Sequence, residues 1–297
     1  MEEFRQMKSF RRLPVFEYLA PSSVQEACSL LKTYRDRVKV LAAGTDLLIN
    51  MKKRRATPSY LVGLRNIPDL DYVSYDEANG LSIGALATFQ AIADSRPVRE
   101  KFGLLATACL KVGTPQIRNM GTIGGNVCNA GPSQDTAPCL LVLEAKLKLV
   151  SSEGERLVPI TEFFTGPFKT VLRDDEILSE IQIDNPPQRS AGCYQWLTKR
   201  TVVDETLVGV AVLVTLARED RVCTDIRLGL GSVAPTAMRA RRAEDFLRGR
   251  AIDDELIEEA AALAASETRP RSRADYRQKM TAILVRRAIK EAIKMVK

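Results

Sequence analysis

The stretch from Ile117 to Asp135, IRNMGTIGGNVCNAGPSQD, concentrates the residues best suited to chemistry in this chain. It is too polar and glycine-rich for core, and its residue types are too specific for a linker. Gly121, Gly124 and Gly125 permit left-handed backbone and close approach of a ligand to the main chain. Successive N–H groups in such a loop can converge on an anion and form a nest for phosphate oxygens. Thr122 and Asn126 add side-chain donors at its edges, so the chemistry implied is a pyrophosphate cradle. A second loop, Ala42-Ala43-Gly44-Thr45-Asp46-Leu47-Leu48, follows a predicted strand at Val38 to Leu41 and precedes a helical segment from about Leu47. A strand–loop–helix unit aims the free N–H groups of the helix at whatever occupies the loop. Asp46 would repel a phosphate there and is expected to cap the helix or bond a neighbouring hydroxyl. Either loop alone reads as a turn; together they imply a dinucleotide held between two lobes. No GxGxxG opens a βαβ unit and no GxxxxGK[ST] is present, so the site is neither a Rossmann nor a P-loop one.

AAGTDLL and IRNxGTIGGNVCNAxPxxD resemble the two flavin loops of the FAD-binding subunits of molybdenum hydroxylases. These are the medium subunits of carbon monoxide dehydrogenase-type enzymes and the FAD domain of xanthine dehydrogenase. Weaker matches run in order through the chain: Phe16-Glu17-Tyr18 with Pro21, Tyr194 to Asp204, Gly231-Ser232-Val233-Ala234-Pro235-Thr236, and Arg271 to Arg277. The resemblance implies an α+β protein, a p-cresol methylhydroxylase-type two-lobed FAD-binding domain followed by a C-terminal antiparallel sheet with helices. It implies FAD in this chain, molybdopterin in a large partner subunit and [2Fe–2S] clusters in a small one. Electrons would arrive from the clusters and leave to an external acceptor, NAD in some members and oxygen, quinone or another carrier in others. Carried over by position, Ala42, Ala43, Gly44, Thr45, Asp46 and Leu47 surround the pyrophosphate with Thr122, Ile123, Gly124, Gly125 and Asn126. Asp135 bonds ribitol or ribose hydroxyls, and Leu178 supplies an apolar contact near the flavin. No residue of the chain is assigned an acid–base role.

Two positions depart from the family pattern. Its usual AGG reads Ala42-Ala43-Gly44, and a methyl at Ala43 is tolerable only if the local φ is negative. Trp196 stands where many relatives carry a lysine near the flavin; it is expected either to stack near the ring or to sit in the core, with Lys199 as a replacement charge. Two alternatives stay open: an independent FAD-dependent reductase sharing the broad FAD fold, and a flavin-poor scaffold subunit, to which those departures give weight.

Composition narrows the function classes. There is no histidine, which removes histidine general bases, Ser-His-Asp and Cys-His nucleophiles, and histidine metal ligation. Cys28, Cys109, Cys128, Cys139, Cys193 and Cys223 form no CxxC pair and are expected to be small core hydrophobes in an intracellular chain, with no metal bound. A net charge of +7 comes with basic runs at Lys52 to Arg55 and Arg239 to Arg242. Without aromatic platforms or a nucleic-acid motif these read as solvated faces, or docking surfaces for an acidic partner. The longest apolar run, Leu207 to Ala217, is too short to cross a bilayer. Arg5, Lys8, Arg11 and Arg12 precede no apolar segment, so a cytoplasmic location is expected.

The elements needed to position the loops divide the chain of 297 residues into three parts. Residues 1–57 form an N-terminal α/β lobe, in which Ser23 and Glu26 open a helix as a capping box. Residues 58–176 form a second lobe with strands at Tyr60 to Leu64, Leu81 to Leu86 and Lys146 to Ser151, and helices near Lys101 to Val112 and from Thr136. Asp135 is at least the N-cap of that last helix. Residues 177–297 form the C-terminal domain, with an antiparallel sheet from Ile177 to Leu230. Two helices close it, striped by Leu256, Ala260 and Leu263 and by Met280, Leu284, Ala288 and Ala292.

Overall fold

The computed structural model describes residues 12–200, 203–218 and 222–296, so the basic residues Arg5, Lys8 and Arg11 lie outside the described residues. Strand β1 (Glu17–Leu19) is followed by helix α1 (Val24–Tyr34) and strand β2 (Val38–Leu41). Ser23 caps α1 by accepting from Glu26 N–H, while the Glu26 carboxylate accepts from the N–H and hydroxyl of Ser22. The box therefore closes one residue earlier than the Ser23–Glu26 spacing suggests. After helix α2 (Leu47–Lys52) comes strand β3 (Tyr60–Gly63), which lies between β1 and β2 and pairs parallel with both. The sequence placed β3 in the second lobe; it is instead the central strand of the first sheet. Parallel neighbours are joined by crossovers, so their order cannot be read from chain order.

The second sheet has the order β4 (Val73–Asp76), β5 (Gly80–Gly84), β10 (Ile177–Ile183), β6 (Lys146–Ser151), β7 (Gly154–Pro159), all antiparallel. Between β5 and β6 lie helices α3 (Gly103–Lys111), α4 (Ile123–Asn129) and α5 (Thr136–Val142). A small hairpin, β8 (Phe164–Gly166) with β9 (Lys169–Thr170), follows β7. Strand β10 was expected to head the C-terminal sheet. It pairs instead with β5 and β6, because Leu178, Ile181 and Ile183 complete the core made by Leu81, Ile83, Leu147 and Leu149.

The C-terminal sheet contains β11 (Ser190–Leu197), β12 (Val208–Leu216), β13 (Cys223–Gly231) and β14 (Met238–Arg239), antiparallel as expected. Helices α6 (Arg241–Leu247), α7 (Asp254–Glu267) and α8 (Ala274–Met295) cover it through Ala260, Leu284, Ala288 and Ala292. The Arg239–Arg242 run is not a solvated face throughout. The Arg239 side chain is 4% exposed and donates through Nε and Nη2 to the fully buried Glu244, which also accepts from Leu228 N–H. Five cysteines are buried and Cys128 is half-buried. Among the described residues no helix is long and apolar enough to cross a membrane.

Candidate functional site: a cavity between the two lobes

Strand β2 delivers the loop Ala42–Asp46 to the start of α2. Gly44 carries the turn at φ 78°, and a Cβ there would lie 2.9 Å from Leu48 Cδ1. Ala43 is not among the residues of positive φ, so its methyl group is accommodated without backbone strain. Leu48 N–H donates to Gly44 O and Asn50 N–H to Asp46 O. No acceptor for the N–H groups of Thr45, Asp46 and Leu47 is found among the described residues; they are the orphan donors of a helix start, on residues that line the cavity. Asp46 does not cap α2: its backbone is helical (φ −99°, ψ −47°) and its side chain makes no cap bond. A cap needs an extended residue whose side chain folds back onto the first turn. The carboxyl sits instead at the cavity rim, where partial burial pushes it above the ordinary carboxylate range.

The second loop is built differently from a nest. Residues 123–129 form α4, with Thr122 as an extended N-cap whose hydroxyl accepts from Gly125 N–H at 3.1 Å. Ile123 N–H donates to Ala87 O, Gly124 N–H to Ala85 O and Asn126 N–H to Thr122 O. These donors are consumed within the protein, and none of Gly121, Gly124 and Gly125 has a positive φ. Their glycines serve close packing. A Cβ on Gly124 would lie 2.5 Å from Ala85 O, and one on Gly125 would lie 2.8 Å from Thr122 Oγ1 and 3.6 Å from Ala42 Cβ. Gly125 thus marks where the two loops approach each other. Asn126 is held by the Thr136 hydroxyl, which donates to its Oδ1 at 2.8 Å, and by the Gln134 amide on its carbonyl. That leaves the Asn126 amide N–H2 available to a ligand.

One cavity of about 830 Å³ separates the lobes. Ala42, Ala43, Gly44, Thr45, Asp46 and Leu47 line it, with Thr122, Gly124, Gly125, Asn126 and Leu178. Ile123 is fully buried behind this wall. The sequence reading missed Lys39, Asn50, Arg55 and Phe168, which also line the cavity. Arg55 belongs to a basic run read as solvated, and Phe168 lies in the two-residue turn Pro167-Phe168. Cys128 lines it too, and desolvation pushes its thiol up to about 12, so it stays protonated at neutral pH.

Asp135 and Trp196 do not line the cavity. Asp135 occupies the N-cap position of α5 without a cap bond. Its Oδ1 accepts from the Tyr194 hydroxyl at 2.8 Å and the Thr206 hydroxyl at 2.6 Å, tying the second lobe to the C-terminal sheet. Burial raises the Asp135 pKa, and the two hydroxyls and Lys111 oppose that rise. Tyr194 is pushed well above its usual range by burial, so it remains a donor. Trp196 is neither core nor cavity wall: it is 39% exposed and stacks on Tyr194 with ring centres 5.7 Å apart. Lys199 is exposed and away from the cavity lining.

A cavity of this volume suits a cofactor-sized ligand. Orphan N–H groups, hydroxyls of two threonines and the cations Lys39 and Arg55 fit a ligand carrying linked phosphates. The fold and the cavity define a two-lobed dinucleotide-binding protein with an appended sheet-and-helix domain. Residues 14–186 match the family described as FAD binding domain in molybdopterin dehydrogenase, and residues 194–292 match the CO dehydrogenase flavoprotein C-terminal domain. The chain is 35% identical to the carbon monoxide dehydrogenase medium chain of Afipia carboxidovorans over 93% of this chain and 96% of that one. It is similar in structure to a chain of the carbon monoxide dehydrogenase of Hydrogenophaga pseudoflava (TM-score 0.92, 34% identity, 96% of this chain and 100% of that one). A further likeness is to quinoline 2-oxidoreductase of Pseudomonas putida 86 (TM-score 0.88, 30% identity, 95% and 98% covered). The chain belongs to the FAD-binding medium subunits of the carbon monoxide dehydrogenase/xanthine dehydrogenase family, and is an oxidoreductase subunit.

Proposed function

We propose that this chain is the flavin station of a molybdenum hydroxylase complex, receiving electrons from the [2Fe–2S] clusters of a small subunit and passing them to an external acceptor such as NAD. A large molybdopterin-binding subunit would take the substrate. The relatives support this reading, since they are medium chains or FAD subunits of carbon monoxide, glyceraldehyde and nicotinate dehydrogenases. The substrate varies among these relatives while the flavin chain keeps its form, so substrate choice belongs to the large subunit.

The observation that carries the reading is the meeting of the two loops across one cavity, with free donors on the first and a rigid, capped helix on the second. Bound FAD supplies exchange of one or two electrons. The chain's own residues bind and orient it. Thr45, Asp46 and Leu47 N–H with the Thr122 hydroxyl and Asn126 amide would hold the diphosphate; Leu178 would pack against an apolar part. Asp135, through Tyr194 and Thr206, would fix the C-terminal sheet against the cavity-bearing lobe rather than touch the cofactor.

The test is the flavin content and visible spectrum of the purified chain, alone and mixed with the partner subunits, before and after NADH. One FAD per chain with a reducible spectrum is expected, and bleaching by NADH identifies the acceptor. An apoprotein that takes up no FAD alone or in complex would sink the reading. Bound FAD that NADH leaves oxidised would redirect only the choice of acceptor.

A further inference from the structure

Phe168, at the tip of the β8–β9 hairpin, is 63% exposed and yet lines the cavity between the lobes. Its backbone stands at φ 58°, a left-handed conformation that is an outlier for a bulky side chain. A strained residue persists where its surroundings over-determine it, and such residues gather at ligand sites. The surroundings here are specific. Phe168 N–H donates to Ala130 O at 2.8 Å, and Ala130, the C-cap of α4, is itself left-handed at φ 48°. A Cβ on Gly131 would lie 3.5 Å from Phe168 Cε1, which places the ring over the C-terminal end of α4. The same short helix therefore carries Thr122–Asn126 at one end and the anchor of Phe168 at the other. The seven helical residues between Thr122 and Ala130 span about 10 Å. Phe168 belongs to none of the three core clusters and makes no ring pair with another aromatic among the described residues.

We propose that Phe168 is a cofactor-contact residue whose ring stacks on a flat conjugated ring of the dinucleotide and covers it at the cavity mouth. The proposal rests on the reading of this cavity as the FAD site. Stacking suits an aromatic whose edge is fixed and whose face is bare, because it needs a π-face and no hydrogen-bond partner. The flat ring is either the isoalloxazine or the adenine, and both offer the same chemistry to Phe168.

The experiment is calorimetric titration of FAD into the apoprotein for the wild type, Phe168→Tyr, Phe168→Ala and Phe168→Gly, with an unfolding midpoint for each. The Ala and Gly variants should bind FAD roughly tenfold or more weakly, while the Tyr variant should stay within about twofold, keeping the π-face. The Gly variant should unfold no earlier than the wild type, since glycine adopts this φ freely. A merely structural Phe168 would couple lost affinity to lost stability. Parallel titrations locate the ring: weakened ADP binding in Phe168→Ala assigns it to adenine, weakened FMN binding to the flavin. Equal FAD affinity in all four proteins overturns the proposal and leaves the cavity assignment standing. A wild type that binds no FAD overturns both.

Discussion

Adding one methyl group at Gly124 should unsettle α4 where it packs against Ala85, which lines the cavity beside it. The new Cβ would lie 2.5 Å from Ala85 O, 2.7 Å from Ala85 Cβ and 2.9 Å from Ala85 Cα. Two of those atoms are backbone, so no side-chain rotation relieves the contact. Overpacking of this kind costs about 1–3 kcal/mol. Moving α4 away also lengthens the Gly124 N–H bond to Ala85 O, which is 2.9 Å in the native fold and contributes about 1 kcal/mol. Against this, alanine favours helix over glycine by about 1 kcal/mol. Gly124→Ala should therefore lose about 1–3 kcal/mol of stability on balance. A displaced α4 disturbs the close approach of Gly125 to Ala42 between the loops, so FAD affinity should fall by at least about tenfold. The assay pairs a urea unfolding midpoint of the apoprotein with a FAD titration. Gly103→Ala is the control, because a Cβ at Gly103 meets nothing within 4 Å. An unchanged midpoint together with unchanged FAD affinity in Gly124→Ala would refute the packing argument.

Four further outcomes are expected. Gly44→Ala should cost about 1–2 kcal/mol, from its φ of 78° and the 2.9 Å approach to Leu48, and lower FAD affinity by misplacing the Thr45–Leu47 donors; a denaturant midpoint and a titration check both. Asp46→Asn should strengthen FAD binding at neutral pH. In the wild type, affinity should rise as pH falls through the raised Asp46 pKa, because the neutral carboxyl no longer repels the diphosphate, and the Asn variant should lose that dependence. At Asp135 the neutral form is favoured by burial, so the wild type loses stability as pH rises through the elevated pKa. Asp135→Asn keeps an acceptor for Tyr194 and Thr206 without the charge, and should gain on the wild type with rising pH in unfolding curves; Asp135→Ala should lose about 1–3 kcal/mol throughout. Glu244→Ala removes the closest carboxylate of the buried Arg239, leaving it Glu144 at 3.5 Å, and the acceptor of the Leu228 N–H; thermal unfolding should report a loss of up to about 3–5 kcal/mol with FAD affinity per folded chain unchanged.

Several of these outcomes could not have been framed from sequence. The strand–loop–helix around Gly44 was legible because a single local unit sets it: a short strand with three apolar residues, a glycine that must take positive φ, and a helix start. The C-terminal strands and the stripes on α7 and α8 were legible for the same reason, since alternation and helical period are local signals. The second loop was legible as a site but not as a structure. GTIGGN read as a left-handed nest, whereas Thr122 caps a helix and the glycines allow Ala85 and Ala42 to come close.

What the amino-acid sequence determined alone was the family, the two segments that line the cavity and the absence of histidine chemistry. Each rests on residue identity within a short window. Tertiary structure decided the rest. It put β3 between β1 and β2 and drew β10 into the second sheet, because strand order follows which apolar faces fit together and not which strand comes next. It turned Asp135 from a cap or ligand contact into a tie between lobe and C-terminal sheet, since its partners Tyr194 and Thr206 lie 59 and 71 residues away. It also set Phe168 at the cavity mouth through one bond to Ala130. Contacts between residues distant in the chain leave no periodic trace in it, and only packing brings them together.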